Sequence, residues 1–322
     1  MALVMEHELS GGLVWRGAEL PPAAGVLAIP PAALAELEAL AALLADNPLP
    51  ILALHPRDFA LEHCRALMRQ AERLLTEAPG FVVLDRLPVE SVGREVATKL
   101  YWLLCSLLAR PVAQKWDGTM VYGVTDLGKP PGNGVRPDVT NADQNFHVDN
   151  SYNICPPDYV ALFCLQTAMQ GGVSGLVSFH AAHNEMRRRH PDLLGRLYRP
   201  FIFDRQREHA PGDVMVHRAP IFQWRDGVLL GRISKFQIVN GYKLAGEPMD
   251  AETQAALEAF DSIMVEDSMR FDFHFQQGQV QIVSNRLLGH KRTGFTDWPE
   301  PERKRHLVRL WLRDAGRAFY NG

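Results

Sequence analysis

Residues 145 to 168 read NFHVDNSYNICPPDYVALFCLQTA, and their reading decides the fold. His147 and Asp149 stand two positions apart, with Val148 between them. Along an extended chain, residues i and i+2 point to one face, so an imidazole and a carboxylate converge here on one point. A hydrated polar edge strand carries the same pattern, so the pair alone leaves both readings open. The run DYVALFCLQTA that follows is apolar and β-branched or aromatic in texture, which predicts a strand.

Working outward, the same texture holds from about Trp116 to Asp314. GTMVYGV, GLVSFHA, APIFQWRDGVLLGRIS, RFDFHFQQGQVQIVSN and RHLVRLWLR are short β-rich runs separated by Gly, Pro and Asn. Asp226-Gly227 between two runs predicts a tight hairpin. Two helical stretches interrupt, AAHNEMRRRHPDLLGRLY and DAETQAALEAFDSIMVED, the second with Asp250 placed to cap it.

Upstream the chain reads differently. Residues from about Pro31 to Asp46 predict a helix, with proline in its first turn and Pro48 beyond its end. RDFALEHCRALMRQAERLLTEAPG predicts a second helix, with Asp58 as its cap and Pro79-Gly80 as its stop. FVVLDRLP predicts a strand and turn, and SVGREVATKLYWLLCSLLARP a third helix packed on a sheet. Helices followed by many strands predict an α+β chain whose main body is an antiparallel barrel or jelly roll. No solvated linker divides the mainly helical part, about 1–115, from the β-rich part, about 116–314, so 1–322 reads as a single domain.

Composition narrows the function. Hydrophobic residues make up 47% and charged residues 22% of the 322, the range of soluble globular proteins. The net charge is -3, which speaks against a nucleic-acid binder that relies on a basic field. Four scattered cysteines, with no C-x-x-C pair, suggest neither a zinc knuckle nor a disulfide framework. The N-terminal residues make a poor signal peptide, and no stretch approaches the ~20 apolar residues of a membrane span. A cytoplasmic protein acting on a small molecule, with homo-oligomerisation open, is the expectation.

A third ligand candidate is His290 in SNRLLGHKRTGF, just after the strand-like GQVQIVSN. Two histidines and one carboxylate are the facial donor set of non-haem Fe(II) oxygenases. FHVDNSY, PPDYVALFCLQTAMQGGVSGLVSFH, NRLLGHKRTGF and RKRHLVRLWLRD occur in an order that resembles the taurine dioxygenase-like branch (TauD/TfdA) of the Fe(II)/2-oxoglutarate-dependent dioxygenases. The resemblance runs from about Gly118 to Asp314. It implies a double-stranded β-helix core with flanking N-terminal and inserted helices. It implies Fe(II) on His147, Asp149 and His290, with 2-oxoglutarate and O2 as co-substrates. Ser174, after Gly171 and Gly172, then matches the hydroxyl on the far carboxylate of 2-oxoglutarate, and Arg305 the guanidinium opposite. The interval from His290 to Arg305 is long for the family and Arg303 fits it better, but the register of Arg305, Arg309 and Trp311 matches.

The last strand supports this by alternation. Arg305, Leu307, Arg309 and Trp311 share one face, which suits a cavity that binds anions. Arg309 finds no obvious acidic partner in the motif-bearing strands, which assigns it to an anionic group of the prime substrate. Asn145 and Tyr152, beside the metal motif, are further substrate candidates. The expected reaction is hydroxylation of an unactivated C–H bond, with release of succinate and CO2 and with C–heteroatom cleavage as one outcome. Amino-acid hydroxylation is the alternative within the class. A non-catalytic cupin-like binder of metal and carboxylate, or a zinc hydrolase, stands outside it.

Overall fold

The computed structural model describes residues 4–46, 48–130, 135 and 137–319. Two sheets carry the site. The larger contains β1 (Val26–Ala28), β2 (Phe81–Asp85), β3 (Arg110–Val112) and β4 (Tyr122–Val124). The smaller begins with β5 (Gln144–His147); β6 (Tyr159–Gln166) returns to the larger, and β7 (Ser174–Ser178) and β8 (Arg270–Phe273) to the smaller. β9 (Val280–Ser284) and β11 (His306–Arg313) complete the larger sheet, and β10 (Leu288–Arg292) the smaller. The order is β1-β2-β9-β6-β11-β3 in one, with β4 also on β11, and β8-β7-β10-β5 in the other. Pairing is antiparallel except between β1 and β2.

Alternation explains the layers. On β11, Val308, Leu310 and Leu312 join a core with α1 (Pro31–Ala45), α2 (Glu62–Thr76) and α3 (Val89–Leu108). Trp311, on the opposite face, packs in a core that draws Val160 and Val283 from the larger sheet and Leu176, Phe271 and Leu288 from the smaller. The sheets therefore face one another, and an arginine on the Trp311 face enters the space between them. A third core covers the back of the smaller sheet with α4 (Phe179–Arg189), α5 (Pro191–Leu197), α6 (Lys235–Ala245) and α7 (Ala251–Met264). Truncating a core leucine such as Leu310, fully buried, would cost about 2–5 kcal/mol.

The hairpin forms as its sequence predicts. Asp226 and Gly227 both have positive φ, 51° and 82°, and join Phe222–Arg225 to Val228–Gly231. Asp250 caps α7, accepting from the Thr253 N–H at 2.7 Å. Asp58 does not cap α2. It lies in the short turn Pro56–Asp58, and Glu36 of α1 instead accepts from the His63 and Cys64 N–H groups at 2.9 Å. A cap supplied across a helix–helix contact leaves no mark in the local sequence. The run 270–285 is not one strand. It crosses from the smaller sheet to the larger through Gly278, whose φ is +87°. α6 lies outside the helices read from the sequence; it begins directly where the run IFQWRDGVLLGRIS ends. Ser234 before it and Gly246, left-handed, after it are the signals that mark it.

Candidate metal and carboxylate site

The register of β5 and β10 builds the first half of the site. His147 and His290 are directly paired across these strands, so both rings stand on one face, with centroids 4.4 Å apart. Asp149, just past β5, brings Oδ1 to 3.4 Å from Nε2 of each histidine. The three donor atoms lie within 4.8 Å of one another. Two donors about 2.1 Å from a shared ion and at right angles would stand about 3 Å apart. The spacing thus fits one cation, and two imidazoles with one carboxylate suit a first-row divalent ion that accepts N and O.

Neighbouring groups fix how each donor points. His147 Nδ1 lies 2.8 Å from the Asn145 carbonyl, so that nitrogen carries the proton and Nε2 keeps its lone pair for an ion. Asp149 Oδ2 accepts from Trp311 Nε1 at 2.6 Å and pairs with Arg309 Nη1 at 3.2 Å. Oδ1 is left for the histidine side. The backbone of Asp149 is held as well. Its N–H donates to Asn285 Oδ1 at 2.9 Å, while Asn285 Nδ2 donates to the carbonyls of Asp149 and Pro157, both at 3.0 Å. Burial alone would raise the Asp149 pKa. The Arg309 guanidinium and the two histidines outweigh it and hold the carboxylate well below its usual range. Burial, followed by the nearby His147, lowers the His290 pKa, so that imidazole is neutral and able to ligate.

Arg309 corrects an expectation. The argument for a substrate anion rested on its lacking a protein partner. Besides Asp149, its Nη2 pairs with Asp138 Oδ2 at 3.2 Å and its Nε donates to Gln114 Oε1 at 2.8 Å. Asp138 and Gln114 lie outside the motif-bearing strands, and only folding brings them to this arginine. A guanidinium buried between two carboxylates already has its charge balanced.

Behind the metal face lies a small inner pocket of about 50 Å³. Ser174, Arg292 and Arg305 line it together with His147, Asp149 and His290. Arg292 and Ser174 are direct partners across β10 and β7, and Ser174 Oγ donates to Gln281 Oε1 at 2.9 Å. Gln281 Nε2, Arg292 Nε and Arg305 Nη1 are buried donors with no hydrogen-bond partner. Two guanidiniums and unsatisfied donors around a small cavity fit a carboxylate ligand. Arg305 is 4% exposed, whereas Arg303 lies at the surface, stacked 3.6 Å from the centroid of the Trp298 ring. Arg292 and Gln281 were missed in the sequence. Their strand parity with His290 and Val283 was the available signal.

A front cleft of about 230 Å³ opens on the other side of the metal face. Asn145 and Tyr152 line it, as do Gln206 and the first residues of α6, from Ser234 to Gln237. The α6 residues and Gln206 were not anticipated. His180 and His183, which open α4, are buried in the helical layer and stand apart from the metal donors.

Residues 48–311 match the family model for taurine catabolism dioxygenase TauD, TfdA family. A "taurine hydroxylase-like protein" of Stachybotrys chartarum is 25% identical over 99% of this chain and 83% of its own length. A "uridine-5'-phosphate dioxygenase" of an Amycolatopsis species is 29% identical over 56% of this chain and 64% of its own. Among solved structures, an asparagine oxygenase with Fe(II), hydroxyasparagine and succinate superposes with a TM-score of 0.67 at 17% identity, covering 90% of this chain and 94% of that one. A non-heme iron oxygenase, OrfP, with Fe and alpha-ketoglutaric acid gives 0.64 at 16% identity, covering 92% and 98%.

Proposed function

Because the chain belongs to the TauD/TfdA family of dioxygenases, we propose that it binds Fe(II) on His147, Asp149 and His290 and 2-oxoglutarate in the inner pocket. The carrying observation is the juxtaposition of that donor triad with a buried pocket of two arginines and Ser174. The facing sheets are read as a double-stranded β-helix, and 1–322 as one dioxygenase domain. Iron with 2-oxoglutarate and O2 supplies the oxidising power that hydroxylates an unactivated C–H bond and releases succinate and CO2.

The chain's own residues do the placing. Asn145 sets the His147 tautomer, and Trp311 and Arg309 hold Asp149 ionised and oriented. Arg305 and Ser174 meet the far carboxylate of 2-oxoglutarate, with Arg292 as a second positive group. Burial pulls the Arg305 pKa down to about 10 and the Arg292 value also to about 10, so both remain charged at neutral pH. The front cleft, with Asn145 and Tyr152 on its wall, takes the prime substrate, a small polar or anionic molecule.

Amino acids stand among the candidate substrates because two structural neighbours hold hydroxylated amino acids. Nucleotides stand there because of the uridine-5'-phosphate dioxygenase relatives. None of the described helices is long and apolar enough to cross a membrane, and the four cysteines are free, in keeping with a cytoplasmic setting. The test is an anaerobic Fe(II)/2-oxoglutarate titration followed through the metal-to-ligand absorption band. Amino acids, sulfonates, aryloxyacids and nucleotides are then screened for a shift of the band and for succinate release. Absence of the band refutes the reading.

A further inference from the structure

A third cavity, of about 240 Å³, reaches Arg305 from the side away from the front cleft. This rear cleft shares Phe275, Arg305 and Leu307 with the inner pocket. The front cleft shares Asp138, Gln144, His147, Asp149 and Arg309 with it. Front and rear clefts have no lining residue in common. The inner pocket is thus bounded on one side by the metal donors and on the other by the side chains of Arg305, Phe275 and Leu307.

The rear wall is mixed: Thr167, Gln170 and the exposed His274 line it beside Ala168, Met169 and the turn at Gly171 and Gly172. Gly172 has φ +69°, and a Cβ there would lie 3.0 Å from Arg305 Nε. The glycine lets the arginine lie across the turn, facing both cavities. The Arg305 backbone is anchored, its main-chain N–H donating to Asp297 Oδ1 at 2.6 Å, while its side-chain Nη1 is buried without a partner. A buried guanidinium reached from this cleft, with one donor unpartnered, suits passage of a dicarboxylate.

Resting on the assignment of the inner pocket to 2-oxoglutarate, we propose that the rear cleft is the route by which the dicarboxylate enters and succinate leaves, separate from the prime-substrate route. A substrate in the front cleft covers the metal face and closes that side of the inner pocket. A single shared entrance would force the prime substrate out before each co-substrate exchange. The rear route frees the exchange from that order, with Phe275 forming part of the partition.

The test is stopped-flow mixing of the anaerobic Fe(II) protein with 2-oxoglutarate, following growth of the metal-to-ligand band. Thr167→Trp narrows the rear cleft and should slow association and dissociation by 10-fold or more, with the equilibrium affinity unchanged within about 2-fold. Phe275→Ala should speed both. Gln206→Trp, at the front cleft, should leave both rates unchanged. The proposal is overturned if Thr167→Trp keeps the parent rates, or if Gln206→Trp is the variant that slows them. Should Thr167→Trp fail to fold, Gln170→Trp, at an exposed position on the same rim, replaces it under the same criteria. No band at all in the parent protein overturns the pocket assignment itself, and this route with it.

Discussion

Replacing Arg309 with leucine removes a guanidinium shared by two buried carboxylates. Its contacts are 3.2 Å to Asp149, 3.2 Å to Asp138 and 2.8 Å to Gln114. Arg309, Asp138 and Asp149 are 8%, 9% and 6% exposed, so water cannot take over the lost interactions. Removing one partner of a buried ion pair typically costs about 3–5 kcal/mol, because the charge left behind stays uncompensated. At about 2 °C per kcal/mol for a chain of this length, the metal-free protein should lose roughly 6–10 °C in Tm. Two further measurements separate this cause from simple loss of packing. Adding Ni(II), which brings positive charge beside Asp149, should raise the Tm of the variant more than that of the parent. Adding Asp138→Asn to Arg309→Leu should recover part of the loss, since one unpaired charge disappears. The assay is thermal and urea denaturation of the metal-free protein. A loss below about 1 kcal/mol, or a double variant whose loss equals the sum of the two singles, refutes the reasoning.

Other consequences follow from the same geometry. His147→Ala or His290→Ala should abolish binding of one divalent ion per chain in calorimetry while leaving the far-UV spectrum intact; full activity in either would falsify the triad. Arg305→Ala should weaken 2-oxoglutarate binding by about 2–5 kcal/mol, whereas Arg303→Ala, at the surface, should change it less than 3-fold; the reverse ranking in a titration of the absorption band would move the anchor to Arg303. Asn285→Ala leaves the Asp149 N–H and two carbonyls unpaired in a fully buried place, and should cost about 3 kcal/mol in urea unfolding. Burial lowers the pKa values of His180 and His183 to about 4. The unfolded chain therefore takes up these protons first, and stability, full above about pH 6.5, should fall as pH drops from there toward 4. His180→Gln with His183→Gln should flatten that decline in urea midpoints; an unchanged slope would remove these histidines as its source.

The sequence by itself determined the parts that depend on local period. Strand alternation put Arg309 with Trp311, because a side chain's face on a strand follows from its parity alone, whereas Asp149 and Arg305 lie just outside the ends of β5 and β11 and reach the site by their nearness in sequence to His147 and Arg309. Turn chemistry set the Asp226-Gly227 hairpin and the Asp250 cap, since both act within four residues. The ordered motifs carry the family's signature in the sequence alone. Tertiary structure alone decided what pairs across the chain. Asp138 and Gln114 meet Arg309 from positions 171 and 195 residues away, which is why that arginine looked unpartnered along its strand. Glu36 displaced Asp58 as the α2 cap for the same reason, as a partner on another helix. β5 and β10 had to be set side by side before His290 could face His147, and β7 and β10 before Ser174 could face Arg292. Periodicity fixes the direction in which a side chain points, while the identity of its partner depends on register between segments, which packing of the whole chain selects.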